Sequence, residues 1–454
     1  MNAVVRWCQA AGAGDGPLAG VRVGLKDNIA VAGVPLTCGS RLPGDHVPAR
    51  DAVVVERLLA AGAAIVAKLN LEDLALSGGG ETSAFGPVLN PHDRGRTASG
   101  SSGGSAAALA YDGVDLTLGT DQGGSIRLPA SWCGVVGLKP SYGLVPYTGI
   151  AGLDPALDHV GPLAASVELV ARGLEAIAGP HPSDPRQPCD LPGGGYVAAV
   201  ERAADDLRGV RLGVVVEGAP RERPDGEDAS ISDAYAEALE RLRGAGAELV
   251  AVALPEHREG AALMFAQLVE GIGAALDGID TGTAAAGWLD EGLAEAVGRG
   301  RRRPATLPPT AVALLLLARH ARSLAGGALA ARARNRGPAL REAYDRALAG
   351  VDALVLPTST QLPHRLAPDA PLADHVLRGW GMTANTAPTD VTGHPAVSLP
   401  LAEAAGLPVG VMLVGRRLED CRLLGLARTV ERAVGWRPPL PRIAGAGAGA
   451  GAGA

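Results

Sequence analysis

Hydrophobic and polar positions alternate along this chain in two regimes. Short runs of aliphatic and β-branched residues recur at 21–31, 63–69, 114–120, 210–216, 248–254, 352–358 and 409–415, and each predicts a β-strand. Between them lie stretches with helical periodicity, such as DAVVVERLLAAG at 51–62 and SISDAYAEALERLRGAG at 230–246. The second opens with Ser230 three residues before Asp233, a capping-box-like start, and stops at Gly244. Strands alternating with helices predict a layered α/β fold. Pro- and Gly-rich stretches near 179–195 and 217–228 read as surface connections, and no linker divides the chain. After Ile443 the sequence is a strict Ala-Gly alternation, so 444–454 is expected to be a disordered tail with nothing to bury.

Composition narrows the function classes. With 47% apolar and 20% charged residues in 454, a large core is available and global disorder is excluded. A net charge of −7 argues against nucleic-acid binding, which needs a basic surface. The local exception, RGRRRP at 299–304 followed by AVALLLLARHAR, reads either as a membrane-surface element or as a solvated turn before a buried helix; the second is plainer. Five scattered cysteines without a CxxC pair, and nine histidines without an HExxH, point away from a disulfide framework and from a metal hydrolase. No run approaches eighteen apolar residues and the N-terminus has no signal-like core, so a reduced, cytoplasmic protein is expected.

Three stretches carry candidate chemistry. In GLKDN, Lys26 ends an apolar strand, where burying an ammonium is costly unless it is paired or deprotonated; adjacent Asp27 is the simplest partner. In ASGSSGGSAAALAY (98–111) the residues Gly100 to Gly104 match G-x-S-x-G. A nucleophile elbow follows a hydrophobic strand, however, and the polar NPHDRGRTA precedes this one, so it reads as a loop feeding a helix N-terminus. In GTDQGGSIRLP (119–129), Gly123 and Gly124 allow a tight turn whose N–H groups converge, with Ser125 next; one turn can then supply a nucleophile and an oxyanion hole. Together the three outline a serine hydrolase whose base is a neutral lysine, with a further hydroxyl bridging the two. Asp121 and Arg127 flank the turn and are expected to stabilise it. Cys133 reads as a packed core residue rather than a nitrilase-like nucleophile, and His159 beside Asp158 offers a Ser-His-Asp triad with Ser125 as the rival arrangement.

The blocks at 16–40, 61–91, 100–108 and 118–146, resuming at 385–400 and 406–415, resemble the amidase signature family almost continuously. That resemblance implies one large α/β domain over 16–440, a mixed sheet flanked by helices on both faces. It implies Ser125 as the acylated nucleophile, Ser101 as a bridging serine held by a cis peptide bond, and Lys26 as the neutral base. Ser102 would orient the lysine, and the backbone N–H groups of Gln122, Gly123, Gly124 and Ser125 would form the oxyanion hole. The same resemblance makes DHVGP at 158–162 a turn segment, against the His159 triad. The implied reaction is hydrolysis of a small-molecule amide to an acid and ammonia or amine, without metal or cofactor. DQGGSIR with TGHP most resembles the branch acting on aliphatic and aromatic amides; a glutamine-hydrolysing subunit of a tRNA-dependent amidotransferase and a specialised amidase of secondary metabolism are the alternatives. No nucleic acid or membrane partner is expected, and a homodimer is compatible with the pattern. Two features depart from the family. Few residues precede Lys26, and Gln122 stands where many members carry a small or β-branched residue. Substrate choice is expected in 255–330 and 380–395, with ALMFAQLVEG (262–271) and the leucine-rich helix near 312–320 as apolar wall, and with Asp390, Thr392 and His394 either lining the pocket or shaping a loop.

Overall fold

The computed structural model describes residues 1–12, 14–220, 227–277, 290–435 and 437–443; the Ala-Gly tail lies outside them. Eleven described strands form one mixed sheet. They are β1 (Val4–Ala11), β2 (Arg22–Lys26), β3 (Ala64–Leu69), β4 (Leu116–Asp121), β5 (Val136–Lys139), β6 (His159–Ala164), β7 (Arg211–Val215), β8 (Glu248–Val252), β9 (Ala353–Pro357), β10 (Ala396–Ala404) and β11 (Leu407–Val414). Their spatial order is β1-β3-β2-β4-β6-β5-β10-β11-β9-β7-β8. β2 runs parallel to β3 and β4, and β7 parallel to β8 and β9; the other pairings are antiparallel.

Period-two side-chain alternation sends both faces of the sheet into apolar cores. Val355, Val411 and Leu413 join one core with the helices Val167–Ile177, Glu227–Gly244 and Asp420–Val434. Leu354, Leu356, Met412 and Val414 join the other, beneath the helices Gly260–Asp277, Pro309–Ala325 and Ala328–Leu348. The fold is therefore the expected single mixed sheet with helices on both faces. One straight helical stretch among the described residues, Pro255–Leu276, is long and apolar enough to cross a membrane, with mean hydropathy 1.2. Its Met264, Leu268, Val269 and Ile272 are buried in the second core.

Four strands escape the sequence reading, for identifiable reasons. β1 mixes polar residues into an edge position, β5 is only four residues long, and β6 carries Gly161 and Pro162. β10 contains Pro400, and its register with β11 slips between Pro400 and Ala402, where the ladder loses a donor. The helix Glu227–Gly244 ends where expected but begins earlier, so Ser230 lies in its first turn rather than at its cap.

Candidate active site

β2 and β4 are neighbours and parallel, so their carboxyl ends open on the same edge of the sheet, the usual position for a site in such folds. Lys26 ends β2, and Thr120 and Asp121 end β4. The GSSGG loop lies against both strand ends, with a cis peptide between Gly100 and Ser101. Lys26 Nζ donates to Ser101 Oγ at 2.7 Å and to Thr120 Oγ1 at 2.8 Å. All three residues have no exposed surface. Burial drags the Lys26 ammonium down to about 7, against the opposing pull of Asp121, Asp158 and Glu72.

The expected Lys26–Asp27 pair does not form. Asp27 turns away to Lys68, 2.9 Å distant, and to the Thr37 hydroxyl and N–H. Lys68, in the apolar strand β3, was the overlooked signal: two buried lysines compete for one carboxylate, and the one aligned with it takes it. Ser102 also differs in detail from expectation. Its hydroxyl donates to the Thr120 carbonyl at 3.0 Å and accepts from the Thr120 N–H at 3.2 Å, so it holds the lysine's partner rather than the lysine. Thr120 itself was missed, although it stands immediately before the turn that the sequence singles out.

The serine turn is braced by charge. Asp121 accepts from the N–H groups of Gly124 (2.6 Å) and Ile126 (3.0 Å) and from Arg127 Nε (3.0 Å). Burial alone would raise the Asp121 carboxyl, but the Arg127 guanidinium and these N–H groups outweigh it and hold it well below the usual carboxylate range. Arg127 also reaches Asp390 (2.7 Å), the Thr386 carbonyl (2.9 Å) and the Thr389 hydroxyl (2.6 Å), all fully buried. Arg127→Met leaves the Asp121 carboxylate, and the Asp390 carboxyl that burial and Asp121 already push up, without their shared partner in the core, and a loss of about 3–5 kcal/mol is expected in urea unfolding; a loss below about 1 kcal/mol would contradict this brace.

Gly124 has φ +141°, and a Cβ there would lie 2.4 Å from Thr386 Oγ1, so the turn admits only glycine at that position. The Gly124 N–H is already given to Asp121, whereas those of Gly123 and Ser125 have no hydrogen-bond partner among the described residues. Ser125 Oγ likewise has none, while the Ser102 N–H donates to the Ser125 carbonyl at 3.2 Å and draws the two serine loops together. Ser125 opens on a cavity of about 20 Å³, walled by Gln122, Gly123, Gly124, Ser77, Gly78, Leu128, Leu153, Leu268, Trp380 and Thr383 among others. A larger cavity of about 580 Å³ shares the wall residues Ala75 and Leu153 with it and is mostly aliphatic, with Asn28, Cys38, Leu74, Ile150, Ile272, Leu276 and Val297. The segment 262–271 thus supplies Leu268 to the wall, while Leu314 of the leucine-rich helix goes to the core and Leu316 and Leu317 are exposed.

The other candidates lie apart. Cys133 is buried under the Ala98 carbonyl, and burial pushes its thiol up, away from nucleophilic character. His159 gives Nδ1 to the Leu157 carbonyl at 2.7 Å. Asp390 belongs to the Arg127 brace, and His394 bridges Thr392 and Asp345, so this trio shapes its loop. Among the described residues no cluster of His, Cys, Asp and Glu could hold a metal.

Residues 6–424 match the family model described as Amidase. The chain belongs to the amidase signature family. It is an enzyme of a family that cleaves carbon–nitrogen bonds. Similar relatives of this amidase-signature chain include a glutamyl-tRNA(Gln) amidotransferase subunit from Halobacterium salinarum, 38% identical over 95% of this chain and 100% of that protein. An enantioselective amidase from Rhodococcus rhodochrous is 39% identical over 94% of this chain and 82% of its own length. Among solved structures, the corresponding glutamyl-tRNA(Gln) amidotransferase subunit from Thermotoga maritima superposes with a TM-score of 0.78 at 28% identity, covering 98% of this chain and 91% of that one.

Proposed function

We propose that this amidase-signature enzyme hydrolyses a neutral carboxylic amide through an acyl-enzyme on Ser125. Neutral Lys26 accepts the Ser101 proton as Ser101 accepts that of Ser125, whose Oγ bonds to the amide carbon. The resulting oxyanion is met by the free N–H groups of Gly123 and Ser125. The proton then returns through Ser101 to the departing nitrogen, the C–N bond breaks, and water repeats the relay to release the acid. This relay requires the Ser125 hydroxyl to turn toward Ser101, whose loop is tied to the Ser125 carbonyl by the adjacent Ser102 N–H at 3.2 Å. The observation that carries the reading is the 2.7 Å contact between Lys26 Nζ and Ser101 Oγ, fully buried, with the amine drawn down to about 7.

A glutamine-hydrolysing amidotransferase subunit is the second reading, favoured by the names of the relatives, and it would act with partner proteins. Against it stands the wall of the Ser125 cavity, which among the described residues contains no charged side chain to match the ammonium and carboxylate of free glutamine. Of these two cavities, the larger has charged wall residues among the described ones, at Asp290, Glu295 and Arg301. A panel of aliphatic, aromatic and amino-acid amides, assayed by ammonia or amine release, decides between them. Neutral apolar amides should give the highest kcat/KM; glutamine as the best substrate would overturn the neutral-amide reading.

A further inference from the structure

The Gln122 side chain, at the entrance to the serine turn, is held by two hydrogen bonds from one nitrogen. Its Nε2 donates to Asp158 Oδ1 at 2.9 Å and to the Tyr147 hydroxyl oxygen at 3.1 Å. Asp158 Oδ1 also accepts the Leu153 N–H at 3.0 Å, and the Tyr147 hydroxyl meets the Thr120 side chain, the partner of Lys26. A carboxylate accepts only, so the orientation of the Gln122 amide is determined: the nitrogen faces Asp158 and the oxygen faces away. That oxygen, Oε1, is buried without a hydrogen-bond partner among the described residues, and Gln122 lines the cavity at Ser125. Gln122 itself is 3% exposed. A fixed, buried and unused acceptor on a residue that walls the cavity of Ser125 is poised to receive a donor from whatever enters.

We propose that Gln122 Oε1 accepts a hydrogen bond from the N–H of the scissile amide and so selects amides over esters of the same acid. This rests on the reading of Ser125 as an amide-cleaving nucleophile. Within that reading the N–H is the one donor that every primary or secondary amide presents at the reacting centre and that an ester lacks. Asp158 and Tyr147 act as positioning residues, since they hold the acceptor without reaching the substrate. The same clamp ties the serine turn to the stretch ending at Leu153, which walls both cavities, so the acceptor and the pocket are set together.

The test is Gln122→Met, which keeps the approximate volume and removes the acceptor, assayed on a primary amide and the methyl ester of the same acyl group. The ratio of amide to ester kcat/KM is expected to fall about tenfold or more, the scale of one buried hydrogen bond. A merely structural role would lower both activities in proportion, and an unchanged ratio overturns the proposal. If the methionine variant does not fold, Gln122→Asn withdraws the oxygen while keeping the amide; a fallen ratio then supports the contact and an unchanged one overturns it. Ser125→Ala on the same substrates separates the two levels of inference. If it leaves both turnovers intact, the nucleophile assignment fails; if it abolishes both while the glutamine variant keeps the ratio, only the N–H contact fails.

Discussion

Ser125→Ala is expected to lower kcat by roughly 10⁴-fold or more while leaving the thermal midpoint almost unchanged. The first half follows from the absence of a substitute: Cys133 is buried under a carbonyl, and His159 is bonded to its own turn. The second half follows from the hydroxyl itself. Ser125 Oγ makes no hydrogen bond among the described residues, and the turn is held by Asp121, Arg127 and the Ser125 backbone carbonyl. Removing an unbonded hydroxyl should shift stability by no more than about 0.5 kcal/mol. Turnover of amide and of a matched ester, with urea unfolding of the same preparation, checks both parts. Retained turnover would remove Ser125 from the mechanism, and a large loss of stability would mean that the hydroxyl supports the turn.

The sequence carried some features of this site and hid others, and the division follows the physics. Glycines needing special backbone, such as Gly124 at φ +141°, are visible because few other residues explain a doubled glycine between a strand and a helix. Apolar strands in the sheet interior are visible because burial on both faces leaves continuous hydrophobic runs. Partnerships between distant side chains are not visible. Lys26 and Lys68 lie on neighbouring strands, and only the register between β2 and β3 decides which of them meets Asp27. The Gln122 clamp depends on Asp158 and Tyr147, 36 and 25 positions away, and no local period links them. Edge and proline-broken strands, β1 and β10, are lost for a different reason: their ladders tolerate residues that weaken the strand pattern.

Substituting Lys26 tests the chemistry from the other side. Lys26→Met should cost roughly 10²- to 10⁴-fold in kcat/KM, the usual weight of a general base. In the proposed relay the active form carries the neutral amine, so kcat/KM should rise with pH on the acid side, through a midpoint near the value of about 7 imposed by burial. The methionine variant should lack that limb. Stability moves in a linked way with a definite sign. The folded-state value of about 7 lies below the 10.5 of an exposed lysine, so between them the unfolded chain binds the extra proton. The cost of burying this lysine is therefore complete below about pH 7 and fades as the pH climbs toward the unfolded value. The stability of Lys26→Met relative to wild type should accordingly be greater at about pH 6 than at about pH 9, by roughly 2–3 kcal/mol in urea titrations. The lost contacts to Ser101 and Thr120 offset both measurements equally and cancel in that difference. An acid limb that survives in the variant would assign that titration to another group, and a stability difference independent of pH would mean that Lys26 keeps its proton in the folded enzyme; either result removes the neutral amine that must take a proton from Ser101.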